Sequence, residues 1–447
     1  MDVRQVAFQV LLNIKSDGAY SNNALKQAFS EHELSAKDKA LATEIVYGTL
    51  TRYQLLIFFL QPYFRGRVKE WVQMLLAMTL YQVFYLEKIP DYAAIDAAVE
   101  IAKGRGGAFN SKIVNAILRK VTKLPLDDHM DLVYEIGEIP ERFSTQFSHP
   151  LWLVRLWVAQ FSEIQTLEML QANNERAKMM LRTNTALINR DELMVKLSQE
   201  GVTCTPGRIS ETAILVTSGN PLGTASFEDG LFYVQDEASQ LPAMALAPAE
   251  GARVLDVCAA PGGKTFHLAE MVGEMGVVYA HDIYAHKIAR IKENAKRLRV
   301  VNVEASVCSA LALDSLYELE SFDYVLVDAP CSGLGILRRH PEAKLTKKPE
   351  DLDAIVEIQR DILASSARFL KPGGRLVYST CTVNKKENER QVEAFLREFP
   401  DFELDVDFES RMPAILKGHF ENGMLQLLPQ DFATDGFFVA ALTRSAT

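Results

Sequence analysis

Tyr324-Val325-Leu326-Val327-Asp328-Ala329-Pro330-Cys331 is a short apolar run that stops at an acid, a proline and a thiol. Arg375-Leu376-Val377-Tyr378-Ser379-Thr380-Cys381-Thr382 has the same shape. Continuous apolar runs bounded by turn residues read as strands buried on both faces, as in parallel sheets. Both thiols then project from carboxyl ends of strands, where open α/β sheets carry their chemistry. A third run, Val254 to Val257, ends in a glycine-rich turn, Cys258-Ala259-Ala260-Pro261-Gly262-Gly263-Lys264-Thr265.

Outward from these runs, strands and helices alternate from about residue 240, the signature of a doubly wound parallel sheet. Gly276 to His281 reads as a strand ending at Asp282, Ala285 to Leu298 as a helix, and Asp351 to Phe369 as a long helix. Lys371-Pro372-Gly373-Gly374 reads as a turn feeding the Cys381 strand, and Gly436 to Leu442 as a last strand.

The front of the chain differs. Val3, Ala7, Val10 and Leu11 keep helical spacing, as do Leu41, Ile45, Val46 and Leu50, and no alternating strand pattern interrupts residues 1–125. Asn110 or Ser111 is placed to cap a helix carrying Ile113 and Ile117. Residues 126–150 are acidic and carry Pro140 and Pro150, as a connector does. A helix around Trp152 and Trp157 precedes a small α+β module, with strands at Met179–Asn184, Ala213–Val216 and Gly230–Gln235 and a helix from Arg190 to Gly201. The expectation is an all-α domain over 1–128, a connector and small α+β (RRM-like) module over 129–240, and a Rossmann-like α/β domain over 241–447.

Composition narrows the function classes. The chain has 447 residues, 48% of them hydrophobic and 24% charged, which is ordinary for soluble domains. No apolar run approaches the roughly 20 residues of a membrane span, and the N-terminus lacks a signal-peptide pattern. Five scattered cysteines, none in CxxC spacing, argue against a disulfide framework or zinc finger and for a reducing cytoplasm. The net charge of −10 is uneven, with a basic excess over residues 1–125 and a second cluster at Arg338, Arg339, Lys344, Lys347 and Lys348. Local positive fields of this kind hold phosphates even on an acidic protein.

The glycine turn is neither GxGxxG nor GxxxxGK[ST]. It still lets the backbone approach a ligand closely, and Asp282 at the next strand end suits a ribose hydroxyl. Together they indicate an adenosine-containing cofactor. The thiols suggest covalent chemistry. A pyrimidine C5 carbon becomes nucleophilic once a thiolate adds at C6, and loss of the C5 proton and the thiol then restores the ring. Such chemistry needs a nucleophilic cysteine, an acid near N3 and a group that aids release. Asp328 fits the acid and two cysteines fit attack and release, with Arg338, Arg339 and Lys344 available to lower the Cys331 pKa if the loop folds back. The residues alone do not choose which cysteine attacks. Cys204, Cys258 and Cys308 also read as small buried hydrophobes.

The set VLDVCAAPGGKT (254–265), VLVDAPCSGLG (325–335), KPGGRLVYSTCT (371–382) and DGFF (435–438) resembles the RNA cytosine-C5 methyltransferases that use S-adenosylmethionine. YSNNALKQAF (20–29), ATEIVYGTLTRYQLL (42–56) and FNSKIVNAILRKV (109–121) look like a NusB-like RNA-binding domain, and YVQDEASQL (233–241) like the family's entry into its catalytic domain. The resemblance implies that Cys381 is the nucleophile and that Cys331 assists release. It implies that Cys258, Ala259, Ala260, Pro261, Gly262, Gly263 and Lys264 contact the cofactor, that Asp282 holds its ribose, and that Asp328 sits where cofactor and target base meet. The NusB-like front implies the branch acting on 16S ribosomal RNA, at a single-stranded or flipped cytosine. A cytoplasmic, monomeric enzyme is expected. The sequence departs from the family at Ser309, where an acid usually holds the adenine side of the cofactor; Asp314 is the nearest acid. It also departs at Gln430, where a histidine often follows the proline. The rival readings are a related enzyme on tRNA or another rRNA site, a non-catalytic RNA-binding factor, and an NAD-dependent oxidoreductase, which the missing GxGxxG disfavours.

Overall fold

The structure is a computed structural model that describes residues 2–446. Two compact units are present: one ends at Arg176 and takes in Leu337–Pro349, and the other runs from Ala177 to Ile336 and resumes at Glu350.

The first unit is helical. Its helices include Val3–Asp17, Ala36–Leu60, Glu70–Tyr85 and Asp91–Val121, packed on a core of Leu11, Ile14, Val46, Leu56, Leu75 and Leu118. Local chemistry sets the ends. Asp2 and Ser35 accept backbone N–H bonds at two helix starts, and Gly18 takes the left-handed conformation (φ 65°) that closes the first helix. The anticipated cap at Asn110 or Ser111 is absent. Both residues lie inside Asp91–Val121, which kinks at Gly107 (φ 72°), and the Asn110 amide donates to the Gly106 carbonyl. The acidic stretch holds two helices, Leu126–Tyr134 and Ile139–Gln146, followed by Leu151–Gln160 and Glu163–Asn174.

Leu337–Pro349 completes this unit. The Glu342 carboxylate accepts from the Ser21 N–H and hydroxyl (3.2 and 2.9 Å), and the buried Lys344 ammonium donates to Asn174 Oδ1 (2.6 Å) and the Thr51 carbonyl (3.4 Å). Burial and the nearby Arg52 push the Lys344 pKa well down. The cation that the sequence offered to Cys331 is thus engaged by Asn174 and Thr51.

The second unit holds two sheets. β1 (Met179–Thr183), β2 (Thr203–Pro206), β3 (Ala213–Ser218) and β4 (Phe232–Val234) form an antiparallel sheet in the order β2-β3-β1-β4, with helix Arg190–Gln199 against it. The larger sheet contains β5 (Arg253–Asp256), β6 (Val277–Asp282), β7 (Val303–Val307), β8 (Phe322–Asp328), β9 (Leu370–Thr380), β10 (Phe402–Leu404), β11 (Phe420–Glu421), β12 (Met424–Leu427) and β13 (Phe437–Arg444). Its order is β11-β12-β13-β9-β8-β5-β6-β7, with β10 on β13. The five strands β7-β6-β5-β8-β9 are parallel, and β13 runs antiparallel to β9. The chain winds outward in both directions from the β5–β8 pair, which makes that pair the topological switch point where such sheets open a crevice.

The Lys371–Gly374 turn is a bulge inside β9. Pairing jumps from Phe322↔Leu370 to Tyr324↔Arg375, and the last glycine's absent Cβ leaves room for Leu370 and the Asp323 carbonyl. The core behind the crevice is made by Leu255, Val325, Val327, Leu376 and Tyr378.

Candidate active site

Four of the central strands end in a residue that carries a functional group: Asp256 on β5, Asp282 on β6, Asp328 on β8 and Thr380, just before Cys381, on β9. The glycine turn starts helix Gly263–Val272. Gly262 has φ +105°, which requires glycine, and a Cβ on Gly263 would press on the Tyr233 ring at 3.0 Å. The Tyr233 hydroxyl donates to the Pro261 carbonyl at 3.1 Å and fixes the turn from the side of the small sheet.

Lys264 points from the start of that helix to Asp328, Nζ to Oδ2 at 2.7 Å. The Ser379 hydroxyl donates to the other oxygen, Oδ1, at 2.8 Å. Burial pushes the Lys264 pKa down, but Asp328 and the Cys381 sulfur outweigh it and hold the ammonium above its ordinary value. Its Nζ also lies 5.2 Å from the centre of the Phe437 ring. Lys264 is therefore a charged group bonded to Asp328 and within the field of Cys381.

The Cys331 and Cys381 sulfurs are 3.2 Å apart, close enough to share one proton. The bond to Cys381, then burial, then the charges of Cys381 and Glu387 hold the Cys331 thiol well above its ordinary pKa. This reverses the expectation that nearby cations lower it. The loop after Cys331 is fastened to the Cys381 strand: Gly335 N–H donates to the Cys381 carbonyl (3.0 Å) and Gly436 N–H to the Gly335 carbonyl (2.8 Å). A Cβ on Gly335 would fall 2.0 Å from the Gly436 oxygen.

The other anticipated residues lie around this centre. Asp282 is buried, accepting from Tyr284 N–H (3.1 Å) and Lys287 Nζ (3.2 Å). Ser309 follows β7 and accepts from Leu311 N–H, while Asp314 is exposed on the short helix Leu313–Ser315. Cys258 is packed beside the β5 end, and burial followed by the Asp256 charge pushes its thiol pKa far up.

Sequence reasoning missed a buried polar cluster behind the thiols. Glu387, Asn384, Asn388, Gln359, Ser332 and Thr382 are all at most 5% exposed. Asn388 accepts from the Thr380 hydroxyl (2.6 Å) and donates to the Thr382 carbonyl (3.0 Å), bracketing Cys381. The run Asn384-Lys385-Lys386-Glu387-Asn388 reads as a solvated turn. The only hint in the sequence was that such a polar run directly follows a strand-end thiol.

Comparison with known proteins agrees with this architecture. Residues 243–443 match the family model described as 16S rRNA methyltransferase RsmB/F, residues 1–123 match the NusB family, and residues 149–222 match the ferredoxin-like domain of RsmF/B-like methyltransferases. The chain is 41% identical to a probable ribosomal RNA small subunit methyltransferase B of Bacillus subtilis, over 99% of this chain and 98% of that one. It is 34% identical to the ribosomal RNA small subunit methyltransferase B of Vibrio cholerae, over 99% and 98%. Among solved structures, PH0851 superposes with a TM-score of 0.82 at 25% identity, covering 99% of this chain and 98% of that one. A methyltransferase homologue from Pyrococcus horikoshii gives a TM-score of 0.59 at 27% identity, covering 69% and 100%.

Proposed function

The chain belongs to the family of ribosomal RNA small subunit methyltransferases B, and from that premise we propose that it methylates C5 of one cytosine in 16S rRNA through a bond between Cys381 and C6 of the base. The observation that carries this reading is the thiol pair, 3.2 Å apart, beside the Lys264–Asp328 ion pair at the switch point of the sheet.

S-adenosylmethionine supplies the electrophilic methyl group. The turn from Cys258 to Lys264 fits it: Gly262 takes the left-handed conformation that opens the turn, and the helix start offers backbone N–H groups to a carboxylate. Asp282 is the ribose acceptor in this reading and Ser309 stands at the adenine side.

The chain's own groups do the rest. The Cys381 thiolate adds to C6, and the developing negative charge on the ring is met near N3 by the proton that Lys264 shares with Asp328. Addition turns C5 into an enamine carbon, the one that accepts the methyl group. Cys331 assists release: the C5 proton passes to water, its bonding electrons restore the C5–C6 double bond, the C6–S bond breaks, and that bond's electrons return to Cys381 as the thiolate. Lys264 steadies the carboxylate and the thiolate from one side. The cytosine must be unstacked to reach the sulfur, so the target is single-stranded or flipped. The helical domain and the ferredoxin-like module grip the RNA, in a monomeric cytoplasmic enzyme.

The test is transfer of a labelled methyl group to 16S rRNA. Cys381→Ala should abolish transfer, and Cys331→Ala should accumulate a protein–RNA adduct on denaturing gels. Full transfer by Cys381→Ala would refute the nucleophile; a Cys331→Ala variant that turns over without adduct would refute the release role.

A further inference from the structure

Glu387 is a carboxylate with no solvent exposure, and no cation among the described residues pairs with it. Four donors satisfy it. Oε2 accepts from Ser332 N–H (2.8 Å) and Gln359 Nε2 (3.0 Å); Oε1 accepts from the Ser332 hydroxyl (2.6 Å) and Asn384 Nδ2 (2.9 Å). Gln359 Nε2 also donates to the Pro330 carbonyl at 2.9 Å. Cys331 is thus held on both sides, through Pro330 and through Ser332.

The same residue reaches the other thiol. The Ser332 hydroxyl lies 2.8 Å from Thr382 Oγ1, next to Cys381, and Tyr378 of β9 donates its hydroxyl to the Glu387 carbonyl oxygen at 2.7 Å. A buried negative charge without a counter-ion is costly. Packing alone does not account for keeping one here.

Charge placement gives it a purpose. Glu387 accepts from Ser332 N–H and shares Gln359 with the Pro330 carbonyl, the two neighbours of Cys331, while Lys264 sits on Asp328 and is raised by the Cys381 sulfur. When two thiols share one proton, a negative field favours the protonated partner nearest it and a positive field favours the thiolate nearest it. We propose that Glu387 is a positioning residue that sets the polarity of the thiol pair, keeping the shared proton on Cys331 and leaving Cys381 as the thiolate. The inference rests on the reading of Cys381 as nucleophile and says how the fold selects it between two similar cysteines.

Sub-stoichiometric iodoacetamide, with mass spectrometry of the tryptic peptides, reads the polarity directly, since the thiolate displaces iodide. In the native enzyme the label should fall on Cys381. In Glu387→Gln, which keeps the size but loses the charge, the Cys381:Cys331 labelling ratio should fall about tenfold, the equivalent of one pKa unit, and the pair should begin to titrate at lower pH. A merely loosened loop would raise labelling at both sites with no change of ratio. An unchanged ratio would overturn the proposal. Should Glu387→Gln fail to fold, Glu387→Asp carries the same test, since it draws the charge back by one methylene, with a smaller fall expected and an unchanged ratio again decisive. Loss of methyl transfer in Cys381→Ala together with an unchanged ratio in Glu387→Gln sinks this inference alone; transfer by Cys381→Ala sinks the functional reading beneath it.

Discussion

Raising the pH should loosen the β5 strand end, and Asp256 is the cause. Its carboxylate is 1% exposed and its Oδ2 accepts from the Thr265 hydroxyl at 2.7 Å. Burial pushes its pKa from 3.8 up to about 7; the Thr265 bond opposes this and the Asp328 charge adds to it. The folded protein therefore binds more protons than the unfolded chain between those values. Stability from this group is complete below about pH 4 and is lost as the pH rises through about 7. Three units correspond to about 4 kcal/mol, and the group is too buried for solvent to screen that figure much. Asp256→Asn keeps an acceptor for Thr265 and removes the titration. Trp71, Trp152 and Trp157 all lie in the helical unit, so tryptophan fluorescence would miss the change. Hydrogen exchange of peptides spanning residues 254–272 is the suitable assay. With intrinsic rates corrected, native and variant should open alike near pH 3.5, and the variant should be more protected by up to about 4 kcal/mol near pH 8.5. A difference that does not change with pH would refute the reasoning.

Gly335→Ala puts a Cβ 2.0 Å from the Gly436 oxygen and 2.8 Å from the Cys381 oxygen, both backbone, so two hydrogen bonds must open. A loss of about 2–4 kcal/mol and at least a hundredfold slower methyl transfer are expected, with cofactor affinity by calorimetry nearly unchanged. Arg182 and Glu270 form an ion pair of 2.6 Å at 1% and 5% side-chain exposure. Glu270→Leu should cost about 3–5 kcal/mol in urea unfolding, and Arg182→Met added to it should recover most of that.

The catalytic sheet was legible because its signals are local: apolar runs ending at Asp282, Asp328 and Cys381 need no tertiary knowledge to be placed. β2 was not, because Thr203-Cys204-Thr205-Pro206 is a largely exposed edge strand with no apolar face. The Asn110 cap failed because glycine at 107 breaks the helix by conformation, a stronger effect than a polar side chain three positions on. The thiols were found but the direction of the Cys331 shift was not. That direction depends first on the bond to Cys381 and on burial, with the Glu387 charge adding to them, and spacing encodes none of these.

The Leu337–Pro349 segment has a consequence for biosynthesis. The ribosome finishes residue 176 about 160 residues before it reaches this piece, a delay of roughly ten to thirty seconds at ordinary elongation rates. Through that interval Ser21 and Asn174 lack the Glu342 and Lys344 groups that complete them. The helical unit is therefore first in sequence but among the last parts to be finished. A fragment ended at residue 176 would leave the ribosome without its closing piece.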